Sequence, residues 1–115
     1  MKDNCIFCKI ANKKIKTQVV FEDEDMIAFN DANPQAPVHI LFIPKKHIET
    51  LNDITGKDAS LVEKMLARIK DVAKDKAIAG DGYRVVINCN KMAGQEVFHL
   101  HIHLLGGRPF KWPPG

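Results

Sequence analysis

Apolar and polar residues alternate along residues 97–104, which read VFHLHIHL. Because successive side chains of a β-strand point to opposite faces, this spacing predicts a strand with Val97 and three histidines on one face and apolar side chains on the other. We interpret the apolar face as core and the other as a candidate site, the alternative being a polar face that happens to use histidine. Alternate side chains lie about 7 Å apart, so His99, His101 and His103 are expected to have different roles.

Other apolar runs predict four further strands. QVVFEDED and MIAFND, joined by an acidic turn, are typical of a hairpin. After the proline-containing ANPQAP, VHILFIP is typical of a buried strand that ends at Pro44. YRVVINCN predicts a strand ahead of the histidine segment, from which the loop KMAGQE separates it.

Two segments have helical character. IFCKIAN near the N-terminus predicts a short helical turn. From about Thr55 the apolar period changes to that of one long helix, with Asp58 placed to cap its start. Its apolar stripe consists of Leu61, Met65, Ile69 and Val72, flanked by Val62, Leu66 and Ala73. Strands in runs with one long helix between them predict an α+β fold with an antiparallel sheet.

Length and composition limit the classes of protein that the chain can be. Its 115 residues suit one domain, which we place over residues 1–115. No segment approaches the roughly 18 apolar residues of a membrane span, and the N-terminus lacks the apolar core of a signal peptide, so we expect a cytoplasmic protein. The net charge of +3 comes from dispersed lysines without interleaved arginine and aromatic residues, which argues against nucleic acid as a partner.

The sequence Cys5-Ile6-Phe7-Cys8 has C-x-x-C spacing. In a cytosolic chain this spacing favours a metal site or a redox pair over a structural disulfide. Thioredoxin-like redox motifs follow a strand, whereas this one precedes every predicted strand, so we favour a metal. A tetrahedral zinc needs two more ligands, and the alternative is a pair of unliganded thiols. Cys89, alone in VINCN, is expected to be a small buried side chain.

The segment HLHIHLL resembles the His-x-His-x-His signature of the histidine triad family, in which x is apolar. The likeness extends to IAFNDANPQAPVHILFIPKKHI, GYRVVIN, AGQEVFHLHIHLLGGR and the terminal WPPG, all similar to the nucleotide-binding branch of that family. The resemblance implies a five-stranded antiparallel sheet with one long helix and a short N-terminal helix. It also implies a homodimer in which two such sheets form one ten-stranded sheet.

For chemistry, the resemblance implies a histidine nucleophile. His101 would attack the α-phosphorus of a purine nucleoside phosphoramidate or nucleotide ester and form a nucleotidyl-histidine that water hydrolyses. His103 and His39 would contact the phosphate, and the backbone carbonyl of His99 would fix the tautomer of His101. Backbone amides of the MAGQE loop are further candidate donors.

The resemblance also implies a nucleotide pocket. Asp31 would accept hydrogen bonds from both ribose hydroxyls, although by itself it is typical of an Asx turn. The apolar residues around it would otherwise be read as core. Glu96 departs from the family pattern, since members often have a hydroxyl residue there, and its carboxylate bears on leaving-group preference. The candidate pocket residues are Ile6, Phe7, Ile10, Phe29, Asp31, Leu41, Asn88, Gly94, Gln95, Glu96, Val97, His101 and His103.

By the same resemblance, His47 and His99 complete a Cys2His2 zinc site with Cys5 and Cys8, which makes His99 structural and leaves His101 and His103 for catalysis. Three functions remain open from the sequence. The first is a nucleotidyl-histidine hydrolase, with dinucleoside polyphosphate hydrolysis as a close variant. The second is a zinc hydrolase whose metal is held by His99 and His101. The third is a non-catalytic nucleotide-binding regulatory module.

Overall fold

The structure is a computed structural model that describes residues 4–115. The predicted domain begins at residue 1, and its first three residues lie outside the described part. Between the helices and strands, three short 3-10 turns cover Leu51–Asp53, Gly56–Asp58 and Lys91–Ala93. In chain order the elements are α1 (Ile6–Ala11), β1 (Val19–Glu22), β2 (Met26–Asn30), β3 (Val38–Pro44), α2 (Ala59–Asp75), β4 (Tyr83–Val86) and β5 (Ile102–Gly106).

The five strands form one sheet in the order β1-β2-β3-β5-β4, and every neighbouring pair is antiparallel. The acidic segment between β1 and β2 closes the predicted hairpin. β3 is central and pairs with both β2 and β5, and its register places Leu41 opposite His103. The predicted α+β fold, with five antiparallel strands, one long helix and a short N-terminal helix, is confirmed. The ten-stranded sheet of a dimer stays a prediction.

Apolar side chains alternate between the two faces of β3 and create two cores. Ile40 and Phe42 join the core beneath α2, whereas Leu41 and Ile43 join the core beneath α1. All four are buried, and each contributes about 1.5–3 kcal/mol relative to an exposed side chain. The short helix α1 is therefore fixed to the sheet by packing, although six residues are too few for a helix to be stable alone.

The long helix α2 buries the predicted stripe. Met65, Ile69 and Val72 are buried against the sheet, while Leu66 is exposed, so its inclusion beside the stripe was wrong. The predicted cap is present, with Thr55 and Asp58 forming a reciprocal capping box, but it closes the 3-10 turn that precedes α2. No helix in residues 4–115 is long and apolar enough to cross a membrane.

The predicted strand over residues 97–104 requires correction. β5 begins only at Ile102, and its pairing with β3 also begins there. Ahead of it the chain bends away from the sheet, held by a hydrogen bond from the Leu100 amide to the Ile48 carbonyl at 2.6 Å. Consequently Phe98, which strict alternation places in the core, is 43% exposed, and the burial of consecutive residues from His99 to Ile102 breaks the alternation.

The strand before the histidine segment is also shorter than predicted. β4 ends at Val86, so residues 87–90 of YRVVINCN lie outside the sheet. Cys89 lies in this irregular stretch and is half-buried rather than buried. Because β4 ends at Val86, residues 87–96 form a loop that leads to the candidate site.

Candidate active site and metal centre

A cavity of about 530 Å³ lies on the face of the sheet that carries α1. Apolar residues of α1, β2 and β3 form one part of its wall, and polar residues of β3, β5 and the 87–96 loop form another. The fold therefore brings together residues that are far apart in the sequence. The predicted pocket residues that line it are Ile6, Phe7, Ile10, Phe29, Asp31, Leu41, Asn88, Gly94, Glu96, Val97, His101 and His103, together with His39.

His101 is held in one orientation. Its Nδ1 lies 2.8 Å from the carbonyl oxygen of His99. A carbonyl only accepts hydrogen bonds, so Nδ1 carries a proton, and in the neutral form of the ring Nε2 keeps the lone pair. The ring is 8% exposed and meets Phe7 edge-to-face, with centroids 5.1 Å apart. The local geometry therefore presents an imidazole with a defined tautomer and one unprotonated nitrogen.

His39 and His103 form a hydrogen-bonded pair whose polarity is set by the backbone. The Gln35 amide donates to His39 Nδ1 at 3.0 Å, which makes that nitrogen an acceptor and places the proton on Nε2. His39 Nε2 lies 2.9 Å from His103 Nδ1, so it donates to that atom. His103 consequently carries its own proton on Nε2. We call His39, His101 and His103 the cavity cluster.

Burial keeps this pair neutral at neutral pH. Desolvation, reinforced by the neighbouring His101 and His39 rings, lowers the pKa of His103 to about 4. Desolvation also lowers the pKa of His39, and the nearby Asp31 carboxylate opposes this effect. His39 and His103 therefore offer neutral donors rather than imidazolium charges.

Asp31 lies at the edge of the cluster, half-buried. Its Oδ1 accepts a hydrogen bond from the Asn33 amide at 2.8 Å, so the Asx turn expected from sequence is present. Its Oδ2 lies 3.4 Å from His39 Nε2. The turn fixes the carboxylate at the cavity wall, and the two interpretations of Asp31 are compatible.

Gln95 does not line the cavity. Its Oε1 accepts from the Asn90 amide at 2.8 Å, and its Nε2 donates to the carbonyls of Glu49 and Val97 at 2.9 and 3.1 Å. All three hydrogen bonds of this side chain are made to backbone groups, so the geometry does not favour its predicted place in the nucleotide pocket. Gly94 beside it has a φ of +88°, a conformation that favours glycine.

Several cavity residues were missed by reasoning from sequence. The irregular segment between α1 and β1 gives no periodic signal, yet it supplies one wall and the cationic side chain Lys16. The proline-containing loop before β3 supplies more polar groups. The additional lining residues are Ile15, Lys16, Thr17, Asn30, Ala32, Asn33 and Gln35.

Cys5, Cys8, His47 and His99 form a second group, which we call the metal cluster. One ligand atom from each residue lies within 4.8 Å of all the others. Cys8 Sγ is 3.2 Å from His47 Nδ1, Cys5 Sγ is 3.4 Å from His99 Nδ1, and the two Nδ1 atoms are 3.2 Å apart. In a tetrahedral zinc site the bond lengths separate ligand atoms by about 3.3–3.8 Å, so the cluster fits this ion.

Local hydrogen bonds orient the side chains of the metal cluster. Cys5 caps α1, with its Sγ accepting from the Cys8 amide at 3.3 Å, so the helix start places both thiols together. His99 Nε2 donates to the Pro44 carbonyl at 2.8 Å, which leaves Nδ1 unprotonated towards the thiols. Desolvation, partly opposed by that bond and aided by His47 and His101, lowers the pKa of His99 to about 4. A neutral imidazole is the form that binds metal.

His99 and His101 do not share a ligand cluster among residues 4–115, which argues against a zinc held by that pair. Asp31, His39 and His103 also come close enough to be considered as a metal site. However, the Gln35 amide places the proton of His39 on Nε2, the atom that faces the other two residues. The observed hydrogen bonds therefore explain this trio without an ion.

Comparison with known proteins extends over nearly the whole chain. A family model described as scavenger mRNA decapping enzyme C-term binding matches residues 4–110. An uncharacterized HIT-like protein of Synechocystis sp. is 50% identical over 115 residues, all of both chains. The purine nucleoside phosphoramidase of Escherichia coli K12 is 43% identical over 109 residues, covering 95% of this chain and 92% of that protein.

Solved structures of HIT proteins are also similar to this chain. A HIT family hydrolase from Legionella pneumophila Philadelphia 1 has a TM-score of 0.96 and 53% identity, covering 97% of this chain and 100% of that one. A zinc-bound histidine triad family protein from Mycobacterium smegmatis has a TM-score of 0.78 and 31% identity, covering 91% and 76% of the two chains. The similarity in fold thus includes a protein that carries zinc.

Proposed function

Since the chain belongs to the histidine triad (HIT) family of hydrolases, we propose that it cleaves purine nucleoside 5′-phosphoramidates through a nucleotidyl-histidine on His101. The observation that carries the proposal is the 2.8 Å contact between His101 Nδ1 and the His99 carbonyl. It leaves Nε2 as the unprotonated nitrogen of a residue in the cavity wall. A neutral imidazole with a fixed lone pair is a competent nucleophile at neutral pH.

The reaction has two displacements. His101 Nε2 bonds to the α-phosphorus while the P–N bond breaks, and the departing nitrogen takes a proton from solvent and leaves as an amine. Water then attacks the same phosphorus and loses a proton to solvent while the P–Nε2 bond breaks, which releases a nucleoside monophosphate and regenerates His101. Two similar displacements replace one difficult hydrolysis. Phosphoryl transfer depends mainly on positioning and on donors aimed at the phosphate oxygens.

The other histidines supply such a donor. The hydrogen bonds that run from the Gln35 amide through His39 leave His103 with an N–H at Nε2. His103 lines the cavity, where this N–H can donate a hydrogen bond that stabilises a phosphate oxygen. His39 acts behind it by orienting His103.

Nucleoside recognition is proposed for other residues that line the cavity. Asp31 is the proposed acceptor for the two ribose hydroxyls, because one carboxylate can accept both protons. Phe7, Ile10 and Leu41 are candidates for contact with the base, and all three belong to the core beneath α1. The relative from Escherichia coli K12 supports a purine, since it is named a purine nucleoside phosphoramidase.

Turnover of adenosine 5′-phosphoramidate by the purified protein tests the proposal. We expect release of AMP and ammonia, and a rapidly quenched reaction should contain an AMP adduct that peptide mass spectrometry locates on His101. A parallel assay with a dinucleoside polyphosphate tests the close variant. AMP binding without turnover of either substrate would contradict the hydrolase and favour a regulatory nucleotide-binding module.

We also propose that the metal cluster holds a structural zinc ion. Its ligands join α1 to the end of β3 and to the segment before β5, so the ion would fasten the N-terminal helix to the sheet. The zinc-bound neighbour from Mycobacterium smegmatis supports this choice of metal. No step of the proposed reaction passes through the ion.

A homodimer and a cytoplasmic location remain proposals. β4 is an edge strand, and its Tyr83 and Val85 are exposed. An exposed edge strand with apolar residues is suited to pairing with another strand. Two β4 edges paired with each other would produce the ten-stranded sheet.

A further inference from the structure

The chain after β5 packs against the loop that precedes β3. Gly107 has a φ of +91°, and a Cβ added there would lie 2.9 Å from Cβ of Pro37. Arg108 Nε donates to the carbonyl of Gln35 at 3.0 Å. Two consecutive residues of the C-terminal segment thus contact residues 35–37, the part of the loop that contains the amide bonded to His39.

Arg108 is itself held in place by a small cluster. Its guanidinium lies 4.3 Å from the centre of the Phe110 ring, and Nη1 donates to the Pro109 carbonyl at 3.0 Å. Arg84 approaches the same ring at 5.1 Å and donates to the Lys111 carbonyl at 2.9 Å. Arg108 contacts the loop before β3, whereas Arg84 joins β4 to the C-terminal segment.

We propose that Arg108 is a positioning residue for the cavity cluster. Its bond holds the peptide group after the Gln35 Cα, and the bond to His39 Nδ1 uses the peptide group before it. Fixing one side restricts the motion of the other. Arg108 therefore keeps the Gln35 amide directed at His39, and through His39 it determines which nitrogen of His103 carries the proton.

Loss of the Gln35 donor has a chemical consequence because a neutral imidazole has two tautomers. A neutral histidine can carry its proton on either nitrogen, and a single hydrogen bond selects between the two forms. Without the Gln35 donor, His39 can carry its proton on Nδ1, and His103 must then donate from Nδ1 to keep the pair bonded. His103 Nε2 would then present a lone pair to the phosphate oxygens, which repels them.

The test compares three substitutions. Arg108→Met keeps an aliphatic side chain against Phe110 but removes every donor, and Arg108→Lys restores a cationic donor. Arg84→Met removes a bond that holds the C-terminal segment without contacting the loop. The first measurement is the pattern of ¹⁵N shifts and ring-proton couplings of His39 and His103 in the substrate-free protein at pH 7.5, which distinguishes the two tautomers.

We expect wild type, Arg84→Met and Arg108→Lys to show His39 with its proton on Nε2, and Arg108→Met to show a mixture. This measurement is independent of turnover, so it decides the tautomer even if the proposed function fails. The kinetic consequence rests on the proposed function: kcat for adenosine 5′-phosphoramidate should fall about 3- to 10-fold in Arg108→Met, as expected for one misplaced hydrogen bond, while KM changes less than 2-fold.

An unchanged His39 tautomer in folded Arg108→Met would overturn the positioning role. The same conclusion follows if Arg84→Met produces an equal mixture, because the effect then belongs to the C-terminal segment as a whole. If Arg108→Met does not fold, Arg108→Leu, which also lacks a donor, replaces it: a mixture of His39 tautomers then supports the proposal, and an unchanged tautomer contradicts it.

Discussion

The cavity cluster and the metal cluster both contain histidines and both draw on the segment from His99 to His103, yet their histidines form different patterns of hydrogen bonds. In the metal cluster, His99 donates Nε2–H to the Pro44 carbonyl, and its lone pair converges with the other ligands on one point. In the cavity cluster, His39 donates to His103, and donors and acceptors alternate along the pair. The chemistry open to each histidine is therefore determined by the backbone group that its other nitrogen meets.

Substitution of the proposed nucleophile, His101, is expected to have the largest effect and to separate the role of the cavity cluster from that of the metal cluster. His101→Ala should reduce phosphoramidate turnover by at least about 1,000-fold, because no other group forms the covalent adduct. AMP affinity should change little, since ribose and base contacts remain. Steady-state kinetics and calorimetric AMP titration measure both effects. Phe98→Ala, at an exposed position three residues earlier, is the matched control and should retain activity.

Wild-type turnover by His101→Ala would eliminate the nucleotidyl-histidine mechanism. Loss of both turnover and AMP binding would show that the substitution had damaged the pocket, and His101→Asn would then be the variant to compare.

Removing the metal cluster tests the other half of the comparison. Cys5→Ser combined with Cys8→Ser should eliminate bound zinc and lower the free energy of unfolding by about 3 kcal/mol, or roughly 10–20 °C in Tm, because the ion binds only the folded chain. The folded variant should still form the adduct on His101. Metal analysis, thermal unfolding and the quenched reaction measure these effects, and Cys89→Ser is the control outside the metal cluster.

A chelator-stripped protein with unchanged circular dichroism but no activity, restored by zinc, would assign the ion to catalysis. In that case the two clusters would not be functionally separate.

Within the cavity, Asp31→Ala should raise KM for nucleotide substrates. Loss of a charge-assisted contact with ribose weakens binding by about 1.5–3 kcal/mol, or roughly 10- to 150-fold. Asp31→Asn is a sharper variant, because its side-chain oxygen can still accept from the Asn33 amide while the charge is lost. Affinities for AMP and its 2′,3′-dideoxy analogue should be compared. An equal loss for both nucleotides would rule out the ribose contact.

A smaller effect is expected in the response to acid. The pKa of His103 is about 4 in the folded protein, against an ordinary value of 6.5. Between these values the unfolded chain binds more protons, so the free energy of unfolding should fall as the pH drops from 6.5 towards 4 and should not respond to this group above 6.5. Urea unfolding at pH 7.5 and pH 5 should show a smaller difference for His103→Gln than for wild type. Equal differences would contradict the shifted pKa.

Local patterns were sufficient to predict much of this architecture. The apolar run VHILFIP predicted the buried β3, and the stripe at Met65, Ile69 and Val72 predicted α2, because a short apolar run is typical of a buried strand and the stripe matches the period of a helix. The strand predicted over residues 97–104 began too early, because the alternation around His101 continues ahead of the first residue of β5, Ile102. The bend at residues 97–99 depends on the bond from Leu100 to Ile48, a contact between distant parts of the chain that no local period reveals.

For the candidate site as well, some residues could be predicted from local sequence and others could not. Residues carried by a motif were placed in the cavity or the metal cluster as expected. Gln95 was assigned to the nucleotide pocket by the family resemblance, yet its amide group is hydrogen-bonded to three backbone partners. Lys16 and Gln35 reach the cavity only through the path of irregular loops. Side-chain direction in such loops is determined by tertiary contacts, which composition and spacing do not encode locally.

The double use of His99 has a consequence for how such proteins can diverge. Its imidazole belongs to the metal cluster, whereas its main-chain oxygen orients His101. Every amino acid supplies that same oxygen, so a mutation at position 99 can abolish the ligand without withdrawing the partner of the nucleophile. The replacement needs only to fill a fully enclosed space, which a bulky apolar side chain does. Under the proposed function, zinc binding can therefore be gained or lost along a lineage while the carbonyl that orients His101 is kept.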